Sequence, residues 1–211
     1  MTSQVFNCDC IEYMRTIPDK FFDLSIADPP YRDKNSPTKW MLEKCSSKEM
    51  FIKGIPEEEF FSELKRVSRN QIIWGANNFG HPFSGFIAWD KQVRGSRRYS
   101  QVEIAAISDG LSSVSSFVSI NCYDNGKIHP TQKPVALYAW ILEYYAKLGD
   151  KIFDPMMGSQ SSRIAAYKMG FDYFGCELDK DYFAAGCARF DKECKGIELI
   201  NGKTITQMSL F

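Results

Sequence analysis

An excess of charge of either sign is missing from this sequence: 26 Lys and Arg stand against 26 Asp and Glu among 211 residues, with two His. The balance argues against a polybasic protein that grips nucleic acid by bulk electrostatics, so any nucleic-acid site has to be a local basic patch. No stretch reaches the roughly 18 consecutive apolar residues of a membrane span. The start, Met1-Thr2-Ser3-Gln4-Val5, also lacks a charged segment followed by an apolar one. These absences lead us to expect a soluble, cytoplasmic protein with no membrane partner. Cys-x-x-Cys pairs are absent as well: the seven cysteines, at 8, 10, 45, 122, 176, 187 and 194, are odd in number, and the single-residue spacer of Cys8-Asp9-Cys10 suits zinc poorly. Reduced thiols and no metal site are expected.

What is present is an ordinary globular composition, 44% hydrophobic and 14% aromatic, at a length one core still organises, so we expect one domain over 1–211. Short apolar runs at 4–7, 23–27, 71–74, 85–89, 102–108, 151–153 and 173–176 read as strands. Helical segments alternate with several of them, the pattern of an α/β sheet covered on both faces. Pro56 and Glu57 to Glu59 open a helix with Phe60, Leu64 and Val67 on one face and Lys65 and Arg66 at its end. Pro134 opens another, with Leu137, Ile141, Tyr144 and Leu148 in register and Gly149 as terminator. Two more are expected at 161–169 and 179–195. Residues 32–54, six basic against three acidic, form a loop insertion, and 111–127, rich in Ser, Asn and Gly, fit no periodic element. In 91–98, Lys91, Arg94, Arg97 and Arg98 crowd into eight positions, a solvated loop or a phosphate-contacting one.

Asp28-Pro29-Pro30-Tyr31 follows an apolar run and is expected where a buried strand emerges at its carboxyl end, the ligand-binding edge of an α/β sheet. Two prolines give up two N–H groups and leave carbonyls free to accept from an outside donor. With the Asp28 carboxylate as a second acceptor and the Tyr31 ring as a stacking surface, the tetrapeptide suits a planar heterocycle bearing an exocyclic amino group. A plain Pro-Pro turn with a helix-capping Asp would read the same in isolation. Further on, residues 151–166 read as strand, Gly-containing turn and helix, where backbone N–H groups could meet a small charged ligand and Asp154 could pair with an ammonium. Only Gly158 is present, so this is not the dinucleotide fingerprint. About one βαβ unit later Glu177 ends a strand, placed to accept both hydroxyls of a ribose.

At this point the chain resembles a known family, the S-adenosylmethionine-dependent DNA methyltransferases that modify exocyclic amino groups, in the circularly permuted beta-class arrangement. The resemblance is carried by Asp28-Pro-Pro-Tyr31, His129-Pro-Thr-Gln-Lys-Pro134, Phe153-Asp-Pro-Met-Met-Gly-Ser-Gln160, Glu177 with Tyr182, and Asn7-Cys-Asp9-Cys10, in that family's order. It implies a Rossmann-like fold with a mostly parallel seven-stranded sheet. It further implies Asp28, Pro29, Pro30 and Tyr31 as catalytic residues. Asp9, Cys10, Asp28, Thr131, Lys133, Asp154, Pro155, Gly158, Ser159, Glu177 and Leu178 would bind S-adenosylmethionine, with Thr131 and Lys133 at its methionine end. His129 reads as a turn residue. Gln160 stands where the family usually has a second glycine, and its side chain would narrow the cofactor pocket.

The resemblance also implies the reaction. A base flipped out of duplex DNA would stack on Tyr31, with its amino hydrogens held by the Asp28 carboxylate and the Pro29 carbonyl. Orientation of this kind supplies on the order of 7–11 kcal/mol in good intramolecular models. Adenine is expected over cytosine, because Asp rather than Ser leads the catalytic segment. Recognition of a short site would fall to 109–128 and to the loop with Lys91, Arg94, Arg97 and Arg98. Gln207-Met208-Ser209-Leu210-Phe211 resembles the peptide that docks bacterial proteins on the replication sliding clamp, through Gln207, Leu210 and Phe211, or is a tail folded on its own domain. A homodimer stays open.

Overall fold

The apolar run Phe22–Ala27 forms strand β2, and apart from Asp23 every residue in it is buried. Burial of consecutive residues, whose side chains point to opposite sheet faces, means that both faces are covered at this strand. It lies inside an eight-stranded sheet of order β1-β8-β7-β2-β3-β5-β4-β6. The strands are β1 (Ser3–Asn7), β2, β3 (Ser68–Trp74), β4 (Gly85–Asp90), β5 (Val102–Ile107), β6 (Ser115–Ser119), β7 (Lys151–Asp154) and β8 (Asp172–Glu177). From β1 to β3 all neighbours are parallel; β5 runs antiparallel to both β3 and β4, and β6 is parallel to β4. The computed structural model describes residues 1–31, 55–80, 84–93, 100–111, 115–122, 127–129, 131–200 and 203–206. The expected insertion 32–54, the residues Arg94, Arg97 and Arg98, parts of 109–128 and the tail 207–211 lie outside the described residues.

The helices are α1 (Cys10–Arg15), α2 (Glu58–Val67), α3 (Val135–Tyr145), α4 (Ser161–Met169) and α5 (Lys180–Cys194). Met14 of α1 and Phe60, Leu64 and Val67 of α2 share one core with Phe22 and Phe153, whose rings stack at 4.4 Å. Leu137, Ile141 and Leu142 of α3 and Ala165 and Ala166 of α4 share another with Leu24, Ile26, Ile72 and Trp74. The expected α/β sheet covered from two sides is thus what forms. In α2 the charges fall as its dipole favours, Glu58 and Glu59 first and Lys65 and Arg66 last.

Three expectations need correction. The sheet has eight strands rather than seven, because β6 forms inside the segment expected to be irregular: Val118 is buried and the indole N–H of Trp89 donates to the Ile120 carbonyl at 2.7 Å. Serine-rich composition hid an edge strand with one buried apolar anchor. Helix α3 ends at Tyr145, which leaves Leu148 beyond it, 73% exposed; the buried face is Leu137, Tyr138, Ile141 and Leu142, so Tyr144 within the helix is 66% exposed. Gly149 lies in the turn beyond the helix, four residues past its last residue, rather than terminating it. The antiparallel hairpin of β9 (Ile197–Ile200) and β10 (Lys203–Thr206) follows α5 and was not anticipated.

Candidate active site

Parallel strands β2, β7 and β8 deliver Asp28, Asp154 and Glu177 to the same carboxyl-terminal edge of the sheet. Asp28 leaves β2 directly and is held through one oxygen. Its Oδ1 accepts from the Tyr31 hydroxyl and from the Lys133 ammonium, the latter at 2.5 Å. Its Oδ2 takes no hydrogen bond among the described residues and the side chain is 18% exposed, leaving that oxygen as an acceptor for an incoming donor. Pro29 is buried behind it. The Tyr31 ring lies against Gly75, which follows β3 with φ +72: a Cβ there would come within 2.1 Å of the ring. Only glycine serves at a positive φ under an aromatic face so close. Burial and the neighbouring Asp28 push the Tyr31 hydroxyl well above its ordinary pKa, so it stays a donor.

Lys133, expected at the cofactor's methionine end, is nearly fully buried against the catalytic segment. Besides Asp28 its ammonium donates to the Tyr31 hydroxyl at 2.7 Å and lies 3.3 Å from Glu103 Oε2. The two carboxylates raise its pKa above the ordinary value despite burial. Thr131 is exposed, and its N–H and hydroxyl meet His129 Nδ1 at 3.3 and 3.1 Å. Burial, with Lys133 nearby, lowers the His129 pKa to about 4, so the ring is neutral. It packs against Tyr182, 4.5 Å between centroids, and beside Gly158, which seats the His129-to-Pro134 segment on the glycine turn.

That turn is built from inside. Asp154 is buried, with Oδ1 accepting from the Met156 N–H at 3.0 Å and Oδ2 from the Ser162 hydroxyl at 2.5 Å. Burial raises its pKa to about 7. Glu177 Oε2 accepts from the Gly158 N–H at 2.8 Å and Oε1 from the Asp179 N–H at 2.9 Å; burial raises its pKa too. Each carboxylate oxygen keeps further lone-pair capacity for a ligand. No basic side chain among the described residues pairs with Asp154 or Glu177, so the pocket carries two buried acids without a cation. Pro155 and Ser159 are buried in the turn, and Leu178 is 50% exposed at its rim. Asn7 donates to the carbonyls of Glu177 and Leu178, at 2.8 and 3.1 Å, bringing the 7–10 segment to this rim. There the Asp9 carboxylate caps α1 through the Ile11 N–H, and Cys10 is buried in the core beneath.

Gln160 does not narrow the pocket. It adopts φ +60 and its side chain is buried between α4 and α5, donating to the Phe183 carbonyl at 3.3 Å and accepting from Arg163 at 2.9 Å. Gly186 on α5 makes the room: a Cβ there would meet Gln160 Cγ at 2.7 Å. Lys91, expected to contact DNA, turns its ammonium onto Glu103 at 3.0 Å. Sequence reasoning missed Glu103, Arg189 and Gly75. Glu103 had a signal, a lone acid within the apolar run of β5. Arg189, which ties α5 to the Ser159 carbonyl at 3.0 Å, had none.

A family model described as DNA methylase, covering N6 and N4 enzymes, matches residues 73–187, more than half of the chain. YubD of Escherichia coli (strain K12), a methylase by name, is 26% identical over 209 residues, 89% of each chain. The type II methyltransferase M.HpaI of Haemophilus parainfluenzae is 32% identical over 80 residues, 38% of this chain and 26% of its own. Among solved structures, the PvuII DNA methyltransferase (cytosine-N4-specific) superposes with a TM-score of 0.64 at 15% identity, covering 90% of this chain and 86% of the other. TTHA0409 of Thermus thermophilus, a DNA modification methylase by name complexed with S-adenosyl-L-methionine, does so at 0.60 and 17% identity, covering 92% and 97%. The structures share the Rossmann-like methyltransferase fold, and with its matched segment the chain belongs to the N6/N4 DNA methylase family.

Proposed function

We propose that the chain transfers the methyl group of S-adenosylmethionine to the 6-amino group of adenine in duplex DNA, with the site arranged as in the permuted beta class. The observation that carries this is the division of labour on Asp28, one oxygen held by Tyr31 and Lys133 and the other free at the edge of the sheet beside the Asp154 and Glu177 pocket. The pocket fits the cofactor on chemical grounds: two buried carboxylates without a paired cation suit a ligand bearing an ammonium, a sulfonium and ribose hydroxyls. Asp154 would face the cations and Glu177 the ribose. When bound, S-adenosylmethionine supplies an electrophilic methyl group on a sulfonium.

The protein's own part is orientation. The base amino group is a weak nucleophile because its lone pair is delocalised into the ring. Asp28 Oδ2 and the Pro29 carbonyl would accept its two hydrogens and turn the lone pair out of the ring plane. That pair forms the new N–C bond while the C–S bonding pair stays with sulfur. The nitrogen would then shed one proton through the Asp28 carboxylate to solvent, to which this side chain is 18% exposed. The Tyr31 ring, pinned on Gly75, would offer its remaining face to the base.

A cytosine 4-amino enzyme is the second reading, since the PvuII methyltransferase shows that the same fold is compatible with that base. A binding protein without catalysis is not favoured, because Gln160, the residue that departs from the family's cofactor loop, lays its side chain between α4 and α5. The test is nucleoside analysis of DNA incubated with the purified protein and S-adenosylmethionine. N6-methyladenine is expected, and Asp28→Ala should lower its formation by on the order of 10²- to 10³-fold or more, as loss of a group aimed at the reacting centre does. N4-methylcytosine would transfer the assignment to the second reading, and no modified base would end both.

A further inference from the structure

Two carboxylates and two ammonium groups, rather than a lone Asp28, form the buried charge cluster at the head of β2. Lys133 Nζ sits 2.5 Å from Asp28 Oδ1 and 3.3 Å from Glu103 Oε2; Glu103 Oε1 lies 3.0 Å from Lys91 Nζ, and Glu103 is also within 3.4 Å of the Tyr31 hydroxyl. Glu103 arrives from β5, opposite Trp89 in the antiparallel register with β4, while Lys91 follows β4 directly. The cluster is formally neutral. A buried ammonium with Asp28 as its sole partner would compete with substrate for the carboxylate and cancel its charge; a second carboxylate on the far side divides that attraction.

We propose that Glu103 is a positioning residue for the methyl transfer: it draws the Lys133 ammonium between two carboxylates, so that Asp28 is fixed through Oδ1 while Oδ2 stays available to the amino group and the cluster carries no net positive charge. The inference rests on the methyltransferase reading above and adds to it a residue that touches neither base nor cofactor. During transfer positive charge passes from sulfur to the base nitrogen. With Glu103 present the four charges sum to zero; with Gln in its place they sum to +1, which opposes charge developing on nitrogen. Lys91 belongs to the same cluster, balancing Glu103 from the other side.

The groups facing Lys133 are Asp28 and Tyr31 after β2, Trp74 at the end of β3, Lys91 after β4 and Glu103 on β5, with His129 preceding it in its own segment. Of these, only Asp28 and Glu103 are carboxylates that keep the ammonium protonated. Single-turnover methyl transfer measured against pH therefore tests the role. Glu103→Gln should slow transfer about 10- to 100-fold and move the alkaline limb to lower pH, while cofactor affinity by calorimetry stays within about threefold, since Glu103 is not in the Asp154 and Glu177 pocket. Glu103→Asp should restore part of the rate and return the limb toward its original pH. Lys91→Met, which leaves Lys133 as the one ammonium on Glu103 among the described residues, should move the limb upward and serves as the decisive variant if Glu103→Gln does not fold. An unchanged rate and limb in Glu103→Gln, a loss of rate without movement of the limb, or a downward limb in Lys91→Met overturns the positioning role alone. A wild-type protein that transfers no methyl group overturns the reading beneath it, and the role with it.

Discussion

Asp154 has its proton held by burial: its pKa rises from 3.8 to about 7 because both oxygens are buried with only the Ser162 hydroxyl and the Met156 N–H to compensate. A group raised in the folded state stabilises the protein fully below the unfolded pKa, and that contribution is lost as pH rises through the folded value. The unliganded protein should therefore lose stability between about pH 4 and 7 from this residue, and Asp154→Asn should flatten the decline in thermal melts. A cationic cofactor reverses the preference by favouring the charged carboxylate. Affinity for S-adenosylmethionine should rise with pH up to about 7 and level off above it, with proton release detectable by calorimetry in buffers of different ionisation enthalpy. Binding that is flat from pH 5.5 to 8.5 in the wild type would remove Asp154 from contact with the ligand's cations. The sequence pointed to Asp154, but the depth at which it sits, beneath the N-terminus of α4, depends on the Ser162 and Tyr173 hydroxyls, which carry no motif.

Between elements, the junction of α4 and α5 is where a local rule is broken and compensated. Gln160 occupies a left-handed backbone position that costs a non-glycine residue roughly 1–2 kcal/mol, and its side chain fills the space Gly186 leaves on the facing helix. The two positions should be coupled. Gly186→Ala alone forces Gln160 aside and should destabilise by about 1–3 kcal/mol. In a Gln160→Gly background the same change should be neutral or favourable, because the space is empty and alanine suits a helix better by about 1 kcal/mol. Equal effects of Gly186→Ala in the two backgrounds, in a double-mutant cycle by denaturant unfolding, would show that the side chains do not meet. This pair also shows what the sequence could not reveal: the departure at 160 was visible, but the direction of the side chain was set by a glycine 26 residues away. Helix α3 failed for a related reason. Its apolar residues occur all round, so the register through Tyr144 and Leu148 was one of several faces the pattern allowed; the buried one is Leu137, Tyr138, Ile141 and Leu142, and Leu148 lies beyond the helix end.

At the scale of the whole molecule, the parallel half of the sheet was legible because β2, β7 and β8 are short runs buried on both faces and punctuated by helix signals, while β3 carries its apolar residues at its end and β1 is a half-buried edge strand. The other half was less so: β6 has a short serine-rich sequence, and its place beyond β4 follows from packing of Val118 rather than from pattern. Net charge was legible but not its distribution. The chain carries 26 basic and 26 acidic residues, so affinity for DNA has to come from clusters, and one of the four basic residues in 91–98 is already committed, Lys91 to Glu103. The remaining three, Arg94, Arg97 and Arg98, are the ones we propose for phosphate contact. Each phosphate neutralised contributes about 0.9 to the slope of log affinity against log salt on duplex DNA. Replacing the three arginines together by Gln should therefore reduce the magnitude of that slope by up to about 2.7 and weaken binding alike on specific and unrelated duplexes. Lys91→Met should leave the slope as it was, since its charge faces inward. Fluorescence anisotropy titrations from about 50 to 200 mM salt, the range over which such contacts change affinity most usefully, separate the two: an unchanged slope in the triple variant removes this loop from the DNA interface, and a reduced slope in Lys91→Met places that ammonium on a phosphate instead of on Glu103.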